Sequence, residues 1–125
     1  LFMDKIARFL KSETALRMAK AQSCGKLFKE QPFVISVGAD RINEEFPAAE
    51  KVLVQGIVDV YFEEADELVI VDYKTDRVSN LQELKDRYRT QLDYYEEAIG
   101  RLTGKKVKEK VLYSFALEDT IGWSD

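Results

Sequence analysis

Residues 51–76, KVLVQGIVDVYFEEADELVIVDYKTD, hold two runs rich in Val, Ile, Leu and aromatic side chains, parted only by EADE. β-Branched and aromatic residues suit a pleated surface, and a short polar break between two such runs predicts a β-hairpin with strands over 51–63 and 68–74. With the turn centred between Ala65 and Asp66, residue 63 faces 68, 61 faces 70 and 59 faces 72. Asp59 and Asp72 are then cross-strand partners. The two-residue period of a strand puts Lys74 on their face. The pairing assumes the simplest turn, and a one-residue slip would undo it.

Like charges opposite one another destabilise a strand pair. Asp59 also lies within VQGIVDVYF, a run that reads as substantially buried, where an unpaired carboxylate is costly. A divalent cation explains both features, because Mg²⁺ is commonly held by one or two carboxylates and completes its shell with water and phosphate oxygens. Bound metal polarises a phosphoryl oxygen and acidifies water, and a lysine beside it can orient that water or offset developing charge. Two plainer readings compete. An Asp-x-Lys triplet on a strand arises by chance as a solvent-facing pair. Lys74 can also bridge one Asp as a simple ion pair, which leaves the second carboxylate unsatisfied.

The flanking segments frame the hairpin. Phe2, Ile6, Phe9 and Leu10 recur at helical spacing, and Ser12 is placed to cap a second helical segment through Leu16 and Met18 that Gly25 ends. Residues 26–37 read as extended, with Pro32 pointing to an edge or a bulge. Residues 38–50 form a polar connection. Ser79 or Asn80, followed three residues later by Gln82 or Glu83, opens a long helix over about 80–102. Its apolar stripe is Leu81, Leu84, Tyr88, Leu92, Tyr95, Ile99 and Leu102, and Gly104 stops it. Residues 106–116 alternate as a last strand. Gln91 and Tyr95 lie one turn apart on one helix face. Tyr95 is read equally as core or as part of a site, whereas Gln91 borders the stripe and needs polar partners. The fold class is α/β: a central mixed sheet whose hairpin carries the acids, flanked by helices.

Composition narrows the chemistry. The 125 residues include no His and one Cys, Cys24, which excludes an internal disulfide, disfavours a structural zinc site and suits a reducing compartment. The net charge of −4 argues against a generic basic nucleic-acid coat. No run is long enough for a membrane helix, and no GxxxxGK[ST] phosphate loop is present, so any ATPase lies outside these residues. Metal-activated hydrolysis of a phosphodiester needs neither His nor Cys. The opening Leu-Phe-Met points to a piece of a longer chain.

Three segments in order, Gly56-Ile57-Val58-Asp59, Asp72-Tyr73-Lys74-Thr75-Asp76, and Gln91 with Tyr95, resemble the RecB-type branch of the PD-(D/E)XK nuclease superfamily. From about residue 5 to 116 the chain resembles the nuclease domains at the C-terminal ends of bacterial ATP-dependent helicase/nucleases. The resemblance implies a restriction-endonuclease-like core, one domain over 1–125, acting as a cytoplasmic Mg²⁺- or Mn²⁺-dependent DNA exonuclease in double-strand break repair. As partners it implies DNA, the helicase portion of the same polypeptide and a second nuclease/helicase subunit, with no membrane. Asp59, Asp72 and the main-chain carbonyl of Tyr73 would ligate the metal, Lys74 would position the attacking water, and Gln91 and Tyr95 would line the site. Glu30 matches a recurrent acid and equally suits an exposed edge strand. Family members usually carry an upstream helical His. Its lack here implies an incomplete metal site in this stretch, with weak metal binding and slow or no cleavage in isolation. Two alternatives stay open: a helicase-free exonuclease of the same superfamily, and an inactive nuclease-like domain that binds DNA or a partner.

Overall fold

The computed structural model describes residues 2–124, with the backbone alone at Phe2, so the expected packing of that side chain lies outside the described residues. The hairpin forms in the expected register. Its strands, β2 (Lys51–Glu64) and β3 (Glu67–Lys74), set Glu63 opposite Leu68 and Tyr61 opposite Ile70. Ala65 and Asp66 form the turn with φ of 50° and 68°. Two consecutive positive φ values suit the right-handed twist of the strands, and they strain any residue that carries a Cβ.

Strand β1 (Leu27–Gly38) pairs antiparallel with β2 at the sheet edge, where Pro32 breaks no interior ladder. Helix α1 (Phe2–Leu10) leads into α2 (Glu13–Ser23), whose N-terminus is capped by the Ser12 side chain accepting from Ala15 N. The long helix α3 (Leu81–Thr103) starts at Asn80, whose side chain accepts from Glu83 N while the Glu83 carboxylate accepts from Ser79 N. It ends at Gly104, with φ of 70°. It carries the chain across the sheet, so β4 (Val107–Ser114) runs parallel to β3. A fifth strand, β5 (Asp119–Trp123), pairs antiparallel with β4. Its five residues, DTIGW, carry no clean alternation, and the sequence signal ends before them.

The sheet, in order β1-β2-β3-β4-β5, is covered on both faces. On one, Val58, Tyr61, Leu68, Ile70 and Leu112 pack against Leu84, Leu92, Tyr95 and Ile99 of α3. On the other, Val60, Phe62, Val69, Val71 and Val111 pack against Ala21 and Met18 of α2. Two expectations change. Leu102 ends the stripe of α3 but is 57% exposed. VQGIVDVYF is not buried throughout: Ile57 is exposed, and full burial begins at Val58.

These clusters reveal a break in alternation. Val58 faces α3, yet Val60, two residues on, faces α2. In β1, Phe33 and Ile35 face α3 while Leu27, of the same parity, faces α2. Lys29 pairs with Val60 and Gln31 with Val58, so Glu30 and Asp59 share the rung between them, and Glu30 has a φ of 52°. Both strands therefore exchange faces at one rung, and Asp59 sits on it.

Candidate active site

Asp72 and Lys74 continue the α3-facing side of β3 set by Leu68 and Ile70. Asp72 is 3% exposed, the most deeply buried acid among the described residues. Asp59 is only half-buried, which corrects the expectation that it is the buried carboxylate. Nor are the two acids a regular ladder pair. The ladder stops at Val60 opposite Val71, and Asp59 Oδ2 instead accepts from Tyr73 N at 3.0 Å. The face exchange explains this: at the rung where β2 rolls over, a side-chain oxygen replaces the main-chain acceptor.

Lys74 Nζ lies 2.8 Å from Asp72 Oδ2, donates to Gln91 Oε1 at 2.9 Å, and stands 3.8 Å above the centre of the Tyr88 ring. Its approach to the buried Oδ2 is oblique for a hydrogen bond, so the two groups meet as an ion pair. Burial, then the neighbouring Asp59 carboxyl, pushes the Asp72 carboxyl up to about 7, against the pull of Lys74. Tyr95 is buried in the α3-side core with its ring edge-on to Phe33. Desolvation, then the charges of Asp72 and Asp59, raises its hydroxyl to about 12. Tyr95 is therefore a core residue that also lies close to the two carboxylates. Gly56 has a packing reason: a Cβ there would meet the Phe33 ring at 3.0 Å.

The Tyr73 ring turns to the opposite face, edge-on to Phe9, and only its backbone serves the site. Glu30 shares the Asp59 rung, but its side chain is exposed and makes no hydrogen bond or ion pair among the described residues. Two participants were not singled out in the sequence. Tyr88, assigned there only to the apolar stripe, lies under Lys74, and its hydroxyl donates to Asp76 Oδ2 at 2.7 Å. Arg87 Nη1 donates to the same oxygen at 2.8 Å. The available signal was helical spacing, since Tyr88 precedes Gln91 by three residues and Tyr95 by seven.

Among the described residues no three His, Cys, Asp or Glu side chains gather to hold a metal ion. The donor set here is two carboxylates with main-chain oxygen beside them. A hard cation that keeps water and substrate oxygens in its shell fits that set.

Residues 2–121 match the family model described as the PD-(D/E)XK nuclease superfamily. The chain is 45% identical over 121 residues to an ATP-dependent helicase/nuclease subunit of Clostridium botulinum (strain Loch Maree / Type A3), covering 94% of this chain and 9% of that protein. It is 43% identical over 116 residues to the like-named protein from Clostridium kluyveri (strain NBRC 12016), covering 90% and 9%. The chain thus spans 9% of the length of these curated relatives.

Proposed function

The chain belongs to the PD-(D/E)XK nuclease superfamily, and from that premise we propose that it is the nuclease domain of a larger helicase/nuclease, hydrolysing DNA phosphodiesters as an exonuclease during double-strand break repair. The observation that carries the reading is the junction of Asp59, the buried Asp72 and its ion-paired Lys74. Asp59, Asp72 and the Tyr73 carbonyl hold Mg²⁺ or Mn²⁺ in this reading. When bound, such an ion supplies Lewis-acid polarisation of the phosphoryl oxygen and a more acidic water. Lys74, steadied by Gln91, orients the water and offsets charge developing on the phosphate. Tyr95 walls the site and keeps the carboxylates out of bulk solvent.

The partners that go with this reading are DNA, the helicase portion of the same polypeptide and a second nuclease/helicase subunit; its place is the bacterial cytoplasm. No helix among the described residues is long and apolar enough to cross a membrane. The test is cleavage of end-labelled linear DNA by the full-length protein with Mg²⁺. Asp72→Ala and Lys74→Ala each abolish product while ATP hydrolysis persists. Cleavage that survives either change removes that residue from the mechanism.

A further inference from the structure

Lys74 is held from more sides than an ion pair requires. Its ammonium has three N–H bonds and a flexible four-carbon stem. It pairs with Asp72 Oδ2 at 2.8 Å, at an angle oblique for a hydrogen bond. Two further contacts fix where the ammonium points. Gln91 Oε1 draws one N–H at 2.9 Å, and the Tyr88 ring closes another side at 3.8 Å. An ammonium over an aromatic face is attracted by the negative face of the ring. The ring is itself anchored, because the Tyr88 hydroxyl donates at 2.7 Å to Asp76, which Arg87 fixes in turn. A phenol donating to a carboxylate gains electron density, which strengthens its hold on a cation.

We propose that Tyr88, braced by Asp76, is a positioning residue that holds the Lys74 ammonium between Asp72 and Gln91 and keeps it aimed at the substrate. The assignment of a catalytic consequence rests on the nuclease reading above; the contact itself does not. The Tyr88 hydroxyl is committed to Asp76, and its ring faces the Lys74 ammonium.

The experiment uses the full-length protein and two readouts. The first is DNA cleavage with Mg²⁺, resolved into kcat and KM. The second is acetylation of individual lysines by an N-hydroxysuccinimide ester, mapped by mass spectrometry, with Lys110 (1% exposed) as the internal control for folding. Tyr88→Leu removes the ring and is expected to lower kcat ~100-fold, the scale of a small misplacement at a reacting centre, with KM within about twofold. Lys74 labelling changes while Lys110 stays protected. Tyr88→Phe keeps the ring and retains most of kcat and the wild-type labelling, and Asp76→Asn falls between the two. If Tyr88→Leu uncovers Lys110 as well, it has lost its fold, and Tyr88→Met is read the same way. Wild-type kcat and wild-type Lys74 labelling in a folded ring-less variant overturn the proposal. Wild-type protein that fails to cleave DNA defeats the nuclease reading instead, and the labelling comparison still decides the contact.

Discussion

Two lysines reach from neighbouring strands toward α3, each with two acids, and only one group is at rest. Lys110 on β4 donates to Asp93 Oδ1 at 2.9 Å and to Glu96 Oε1 at 2.8 Å, both from α3. Its acids sit at the rim, 43% and 34% exposed, where water serves their remaining oxygens. Lys74 on β3 pairs with Asp72, which has the half-buried Asp59 beside it, and its hydrogen bond goes to Gln91. Asp72 is fixed on a strand interior with its side chain 4% exposed, so it can neither swing to water nor meet its lysine squarely. The same side-chain chemistry is structural where the acids are free to settle and reactive where the backbone forbids it.

The sharpest break of this comparison is one pair of substitutions in the full-length protein. Lys74→Ala abolishes DNA cleavage, a loss of ~1000-fold or more, and leaves the melting temperature near wild type. Lys110→Ala removes a fully buried side chain whose two acids reach water at the rim, and costs ~2 kcal/mol of folding stability in urea titrations, while the folded fraction still cleaves. If both variants behave alike, the distinction between the two lysines fails.

A second difference is the response to cations. Mn²⁺ at about ten times its dissociation constant adds ~1.4 kcal/mol to stability. Differential scanning calorimetry reads this as an upward shift of the melting temperature. The shift persists in Lys110→Ala and vanishes in Asp72→Asn. A flat response in the wild-type protein would count heavily against the metal site.

The pH response sharpens the contrast further. Asp72 has its carboxyl raised from the usual value of 3.8 to about 7, so the folded state holds a proton that the unfolded state has released. That stabilisation is complete below the ordinary carboxylate value and is lost as pH rises to about 7. Without divalent cations, urea midpoints therefore fall between pH 4 and 7 in the wild type, and the slope disappears in Asp72→Asn. The smallest effect belongs to a third cluster, of two bases and two acids, in which Lys108 also pairs with Glu64. Arg17 bonds Glu64 and Glu109 at the surface, and its guanidinium holds the Glu64 carboxyl down to about 2. That contribution is present above pH 4.5 and lost as pH falls toward 2. Arg17→Ala removes about 1 kcal/mol of it, visible as a flatter acid limb in the same titrations.

The hairpin was legible because turn length and strand period leave few registers for two such apolar runs. The caps at Ser12 and Asn80 were legible from side chains that bond nearby amides, and Gly104 from its left-handed backbone. Asp72 and Lys74 share a face as strand alternation predicts, and Gln91 meets the lysine as the family resemblance implies. The site's finer geometry was hidden. Strand alternation assumes an unbroken pleat, and nothing local in KEQ or VDV announces that both strands turn over together at Glu30 and Asp59. Tyr88 was hidden for another reason: a tyrosine on an apolar stripe reads as core, and only the neighbouring lysine distinguishes the two. β5 was hidden because a short edge strand needs no periodic burial.

The shared turnover at Glu30 and Asp59 has a bearing on how this region tolerates changes of length. One residue lost from either strand alone would throw the two crossings out of step and present the Asp59 carboxylate to the wrong side of the molecule. A matched loss from both would carry the acid along intact. Length variation in this ribbon is therefore expected to come in complementary pairs, or to stay confined to the connection between residues 39 and 50, beyond the far end of the ladder.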